Sequence, residues 1–303
     1  MTTRRGTNRF PLGAPTAVQL ASLLVASLLL AVPAVAVDDG GGRSVFATGA
    51  GNRALALGGA YVAVADDASA AVWNPAGLAR NHRKQLQATQ TSLLGLGFSE
   101  QYAALVYPHW RWGAAAIAYR RFGVDGIEGR DDRGFLYADD LQDTETEVSL
   151  GYAYRLAGGD LALGGAVKVQ SQTLAGYSAT GLGADLGLWT RPLALAGAAG
   201  AARNLAFGLA LRNAIEPELK LYQDAVPDPL TVRTGLAWTQ PLGEGLALLL
   251  TGDLEQSRDL DARTHLGVEW RLYDTLALRA GSDDGTFTAG AGLAWRGLGA
   301  DYQ

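Results

Sequence analysis

Three histidines, His82, His109 and His265, are the side chains best suited to move a proton near neutral pH. A catalytic reading needs a nucleophile or a carboxylate placed beside one of them. Gly176-Tyr177-Ser178-Ala179-Thr180 has the serine of a nucleophile elbow, but a threonine stands where the last glycine belongs. Gly49-Ala50-Gly51-Asn52-Arg53-Ala54 matches a dinucleotide fingerprint in letters, yet no strand precedes it and no βαβ unit surrounds it. Asp131-Asp132 and Asp139-Asp140, with Asp143 and Glu145, offer oxygens to calcium but lack an EF-hand register. A solvated loop, bridged to lipid headgroups by divalent ions, accounts for them better. The chain has no cysteine, which removes disulfides, thiolate metal sites and Cys nucleophiles. His265, on the polar face of an alternating run, reads as a wall residue. No enzyme, cofactor or metal centre is expected.

A second group of residues suits a plug better than a catalyst. In Tyr61 to Ala79, YVAVADDASAAVWNPAGLA, either Asp66 or Asp67 can cap a short helical turn over Ala68 to Val72. Asn74-Pro75-Ala76-Gly77 has Asn at i, Pro at i+1 and Gly at i+3, the pattern of a type I turn. Its small side chains let the backbone lie close to a wall, with Tyr61 and Trp73 as the large exceptions. Taken by itself, Asn-Pro-Ala-Gly is an ordinary turn.

The elements around this segment are strands. From Lys84 onward the chain alternates with period two. Val148, Leu150, Tyr152 and Tyr154 alternate with Glu147, Ser149, Gly151 and Ala153. Leu161 to Val169 sets Lys168 and Gln170 on the other face, and Leu266, Val268, Trp270 and Leu272 oppose His265, Glu269 and Arg271. Each run is about the 9–11 residues with which a tilted strand crosses a bilayer. Trp112, Trp189, Trp238, Trp270 and Trp295 lie near strand ends, as in the aromatic girdles of a membrane barrel. A soluble sandwich also alternates, but its solvated face would not be Leu, Val and Trp. Turns at Pro108-His109, Ala157-Gly158-Gly159, Pro241-Leu242-Gly243, Tyr273-Asp274 and Arg296-Gly297 are tight. The long polar loops, Gly123 to Asp143 and Asn213 to Asp228, fall on the opposite side, which predicts that side to be extracellular.

Composition and targeting agree. The 303 residues carry 40 glycines and a net charge of −5, which argues against a nucleic-acid partner. Arg4, Arg5 and Arg9, the apolar Ala21 to Val32 and the small Ala34-Val35-Ala36 form a secretory signal, cleaved before Val37. The reading is all-β: a transmembrane antiparallel β-barrel with a signal peptide at 1–36, a hatch at 37–83 and the barrel at 84–303. About twelve full strands and a stub, Leu298 to Gln303, are countable, so a closing strand is expected to be missing.

The segment Val45 to Ala79 resembles the opening signature of the FadL-type outer-membrane barrels, and more closely the PorV/PorQ-like branch. The matching residues run through Gly49, Arg53, Ala54, Leu57-Gly58-Gly59-Ala60, Val62-Ala63 and Ala65-Asp66-Asp67-Ala68-Ser69-Ala70 to Trp73-Asn74-Pro75-Ala76-Gly77. Pro227-Asp228-Pro229 with Arg233, His265 to Trp270, Leu278 to Gly281 and Gly299 to Tyr302 match more weakly. The resemblance implies about fourteen strands around an N-terminal hatch that blocks the lumen, in the outer membrane of a Gram-negative-type bacterium. It implies passive transport of hydrophobic or amphipathic, fatty-acid-like molecules, with Asp66, Asp67, Trp73, Asn74, Pro75 and Gly77 gating passage.

Leu93, Leu94, Leu96 and Phe98 in one outer loop, and Leu219, Leu221 and Tyr222 in another, suit capture of a greasy ligand or a partner. The same residues also fit strand ends within the lipid band. The alternative function is a PorV-like one, binding secreted proteins or secretion machinery beside outer-membrane lipid. A lumen lined continuously by apolar residues would favour transport, and a sealed polar lumen under apolar outer loops would favour partner binding.

Overall fold

The computed structural model describes residues 45–92, 98–221, 226–258 and 260–303. The expected signal peptide, the first residues of the hatch, and the loop positions Leu93, Leu94, Leu96 and Tyr222 lie outside them.

One antiparallel sheet of thirteen strands carries the chain: β1 (Gln85–Ser92), β2 (Phe98–His109), β3 (Gly113–Arg130), β4 (Leu136–Leu156), β5 (Leu161–Leu174), β6 (Tyr177–Thr190), β7 (Leu205–Ile215), β8 (Thr231–Gly243), β9 (Leu246–Ser257), β10 (Arg263–Leu272), β11 (Leu276–Asp283), β12 (Thr286–Trp295) and β13 (Leu298–Tyr302). Every strand pairs with its neighbours in sequence, and the order runs unbroken from β1 to β13. The thirteenth strand is the stub. A two-residue ribbon, Glu218–Leu219 with Val226–Pro227, stands apart in the connection between β7 and β8.

The sheet is inside-out relative to a soluble protein. Lys168, Arg120 and Glu269 are 2%, 1% and 0% exposed, whereas Leu182, Val167 and Leu150 are 70%, 60% and 57% exposed. Burying such charges while leaving leucines outside is stable only where the outside is hydrocarbon. Among the described residues no helix is long and apolar enough to cross a membrane, so any crossing belongs to strands. Trp112 and Trp295 are exposed and Trp238 and Trp270 half-buried, and all four sit at one rim of the sheet, where an amphipathic ring is most stable. Trp189 departs from the expected girdle. It shares the inward parity of Asp185 and is 5% exposed, so it belongs to the lumen.

Two connections also differ from expectation. Most of 123–143 is a hairpin rather than a loop: β3, 18 residues long, continues to Arg130, and β4, 21 residues long, starts at Leu136. They meet at a turn where the Asp131 carboxylate accepts from the backbone of Arg133 and Phe135. Pro241-Leu242-Gly243 lies in a bulged strand end, with the reversal at Glu244-Gly245. The tight loops Ala175-Gly176, Asp284-Gly285 and Arg296-Gly297 have both residues at positive φ, the twist that matches a two-residue hairpin.

Candidate functional site: the hatch in the lumen

Ahead of β1, the segment from Val45 to Arg80 folds into four short helical pieces, Val45–Thr48, Asn52–Ala56, Ala70–Trp73 and Pro75–Arg80, and fills the inside of the curled sheet. Phe46, Ala54, Leu57, Tyr61, Val62, Ala68 and Ala76 are buried. Alanine and glycine dominate here because the backbone itself touches the wall. A Cβ on Gly187 of β6 would overlap Asn74 Oδ1, and one on Gly208 of β7 would overlap Val62 O. Gly77 has the same role within the hatch: its missing side chain leaves room for Ala65 O.

Asn74 is fully buried and joins three segments. Its Nδ2 donates to Val62 O at 2.8 Å and to Leu188 O of β6 at 3.0 Å. Its Oδ1 accepts from Ala76 N at 3.1 Å, capping the helical piece that Pro75 opens. Gly77 N donates to Asn74 O at 2.8 Å, the i to i+3 bond of the expected turn, which continues here as a 3₁₀ helix. Trp73 donates to Ala50 O at 2.7 Å and meets Tyr61 edge-on at 5.9 Å.

Neither aspartate caps the helix, which begins at Ala70 rather than Ala68 with Ser69 at its N-cap and no side-chain cap bond. The Asp67 carboxylate accepts from Ser69 N at 2.9 Å, just ahead of the helix, and from Tyr61 Oη at 2.7 Å. Asp66 makes ion pairs instead, with Arg53 at 2.6 Å and Arg80 at 3.5 Å. Burial acts to raise the Asp66 carboxyl, but the two guanidinium groups outweigh it and hold it below its ordinary value.

Charged wall residues hold the hatch by its backbone. Arg120 of β3 donates to Phe46 O at 2.9 Å and to Gly49 O, and pairs with Glu100 at 2.8 Å. On β8, Arg233 donates to Gly59 O at 3.1 Å. On β9, Thr251 donates to Ala60 O at 3.0 Å, and Asp253 accepts from Tyr61 N at 2.8 Å and Val62 N at 2.9 Å. His265 Nδ1 of β10 sits 2.9 Å from Gly58 O, so it is a wall residue as its parity indicates. Glu269 accepts from Arg53 at 2.9 Å and from Arg279 at 2.7 Å. Trp189 donates to Ala63 O at 2.9 Å under the Arg80 guanidinium, 4.5 Å from its ring. Arg120, Trp189, Arg233, Asp253 and Glu269 carry no motif that marks them for this site in the sequence. Their signal was parity: each lies on the inward face of its strand.

Between the hatch and the long-loop end of the sheet the lumen is polar. Lys168 pairs with Asp185 at 2.9 Å and Glu147 at 3.6 Å, and Gln170 donates to Glu147 at 2.8 Å. On the other side, at the rim where β1 begins, a cavity of about 700 Å³ opens. Of the expected outer-loop residues, the three described ones do not join the hatch. Phe98 opens β2 with its ring 5.9 Å from Phe122, Leu219 pairs with Val226 in the small ribbon, and Leu221 follows it half-buried. Among the described residues no three His, Asp or Glu side chains converge as metal ligands.

Neither a protein-family model nor a curated protein matches the chain. Among solved structures it is similar to the TodX deltaS2S3 mutant monoaromatic hydrocarbon channel, with a TM-score of 0.54 over 82% of this chain and 90% of that one, at 13% identity. At that identity the likeness is one of fold, an antiparallel sheet resembling an outer-membrane barrel.

Proposed function

We propose that this chain is a passive outer-membrane channel for amphipathic small molecules, closed in the present state by the hatch. The observation that carries this reading is the hatch itself, which separates a polar outer lumen from a cavity of about 700 Å³ at the opposite rim. Hydrogen bonds and small-residue contacts hold it there, and such bonds can be exchanged for water one by one. Asn74 to Gly77 are the gate, with Asp66, Asp67 and Trp73 fixing its shape. The outer loops around Leu93, Phe98 and Leu219 gather the ligand. The lumen charges disfavour a bare hydrocarbon, which would leave them without water, and favour a molecule with a polar head.

Uptake of a fluorescent fatty acid into proteoliposomes tests this. Asn74→Ala is expected to raise the uptake rate in a barrel that still folds. Equal uptake by variant and parent would remove the gating role, and no uptake above empty vesicles by either would remove the channel.

A PorV-like partner role is the second reading, favoured by two features. The lumen beyond the hatch is polar, and Phe135 and Tyr137 stand 68% and 70% exposed at the tip of the β3–β4 hairpin. Affinity capture from the native outer membrane that recovers no exported or secretion protein would count against it.

A further inference from the structure

The cavity at the inner rim has an unusual charge balance for a space inside a barrel. Six arginines from five separate stretches line it: Arg53, Arg80 with Arg83, Arg155, Arg191 and Arg271. The only carboxylate in the lining is Asp66. Three more carboxylates stand behind it. Asp160 pairs with Arg191, Asp67 lies 3.8 Å from Arg53, and the buried Glu269 is shared by Arg53, Arg271 and Arg279. Positive charge therefore exceeds negative. Among the described residues Arg83 has no ion-pair partner, and Arg155 contacts only Ala79 O and His82. Arg271 Nε is buried without a hydrogen-bond acceptor, its nearest carboxylate oxygen 3.4 Å away on Glu269.

Part of the lining is apolar, Val64, Trp189, Ala206, Ala237 and Leu249, with the Trp189 ring packed against Arg80. Guanidinium groups beside an apolar wall suit a ligand with both an anionic group and a hydrocarbon part. Arg recognises carboxylate and phosphate through paired N–H donors, and the restricted space weakens screening by salt.

We infer that this vestibule is a binding site for an organic anion, in which the arginines take a carboxylate or phosphate group and the apolar wall takes the attached chain. The site deepens the channel reading, on which it rests for the route by which ligand arrives. It holds the ligand on the inner side of the closed hatch, where the electrostatic attraction favours release from the gate in one direction.

The test is equilibrium binding to the full-length protein in zwitterionic nanodiscs, using laurate, dodecanol, acetate and inorganic phosphate as probes. Laurate is expected to bind more tightly than the other three. Arg83→Gln with Arg271→Gln should weaken laurate about tenfold, the loss of one or two charge-assisted bonds, and leave dodecanol unchanged. Added salt should weaken laurate, but not dodecanol, on the unaltered protein, so the assignment remains testable if the variant fails to fold. Laurate binding that is independent of both arginines and salt would overturn it. Acetate and phosphate binding as tightly as laurate would assign the vestibule to free anions and overturn the amphiphile. Binding without uptake in proteoliposomes would remove the channel and keep the site. Uptake with arginine-independent binding would do the reverse.

Discussion

Asn74 uses both ends of its amide in places water does not reach, so its removal cannot be made good by solvent. Asn74→Ala strands Val62 O, Leu188 O and Ala76 N, each of which it satisfies. The expected cost is about 2–4 kcal/mol to the seated hatch, read as faster proteolysis between Val62 and Asn81 in a barrel that still resists the protease. Asn74→Asp should be at least as disruptive, because it sets an acceptor against two carbonyl oxygens. Trp189→Phe is milder. It keeps the ring under Arg80 and loses the bond to Ala63 O, about 1 kcal/mol. The hatch residues were legible beforehand because Asn, Pro and Gly have turn chemistry of their own. The wall partner of Asn74 was not, because Leu188 contributes only a carbonyl oxygen, which every residue has.

β5 and β6 show how an element receives the hatch. Gly164 and Gly187 face each other in the ladder, and together they leave the depression that takes Asn74, Pro75 and Ala76. Gly187→Val fills that depression without disturbing strand pairing, since β-branched residues favour strands. The expected outcome is a folded barrel whose hatch is displaced, detected as raised single-channel conductance; unchanged conductance would show that the hatch seats elsewhere. The strands themselves were readable from alternation wherever one face meets lipid. The outer half of the β3–β4 hairpin was not. Beyond the bilayer both faces meet water, no period is imposed, and a polar hairpin looks like a loop in the sequence.

For the whole molecule, the two faces carry opposite rules, and adjacent residues of β5 test both. Val167→Lys places a charge on the outer face and is expected to cost about 2–4 kcal/mol near mid-bilayer. Lys168→Ala, one residue on, leaves Asp185 and Glu147 without their cation and is expected to cost about 3–5 kcal/mol. Both are measurable by denaturant refolding into liposomes. In a soluble protein Val167→Lys, at a position 60% exposed, would cost almost nothing, so a null result there would sink the membrane reading.

The sequence by itself determined the sheet and its sidedness, because a period of two against lipid constrains every second residue along the strand. It also determined that a small-sided segment precedes the strands, since glycine and alanine in that density can only lie close to other backbone. Tertiary structure decided which residues meet. The six vestibule arginines are spread from Arg53 to Arg271, and what brings them to one rim is the register of β4, β6 and β10 and the path of the hatch. Parity places a side chain on a face but not at a height or beside a neighbour. Height and neighbours come from hydrogen-bond register, a relation between strands that no single stretch of sequence contains.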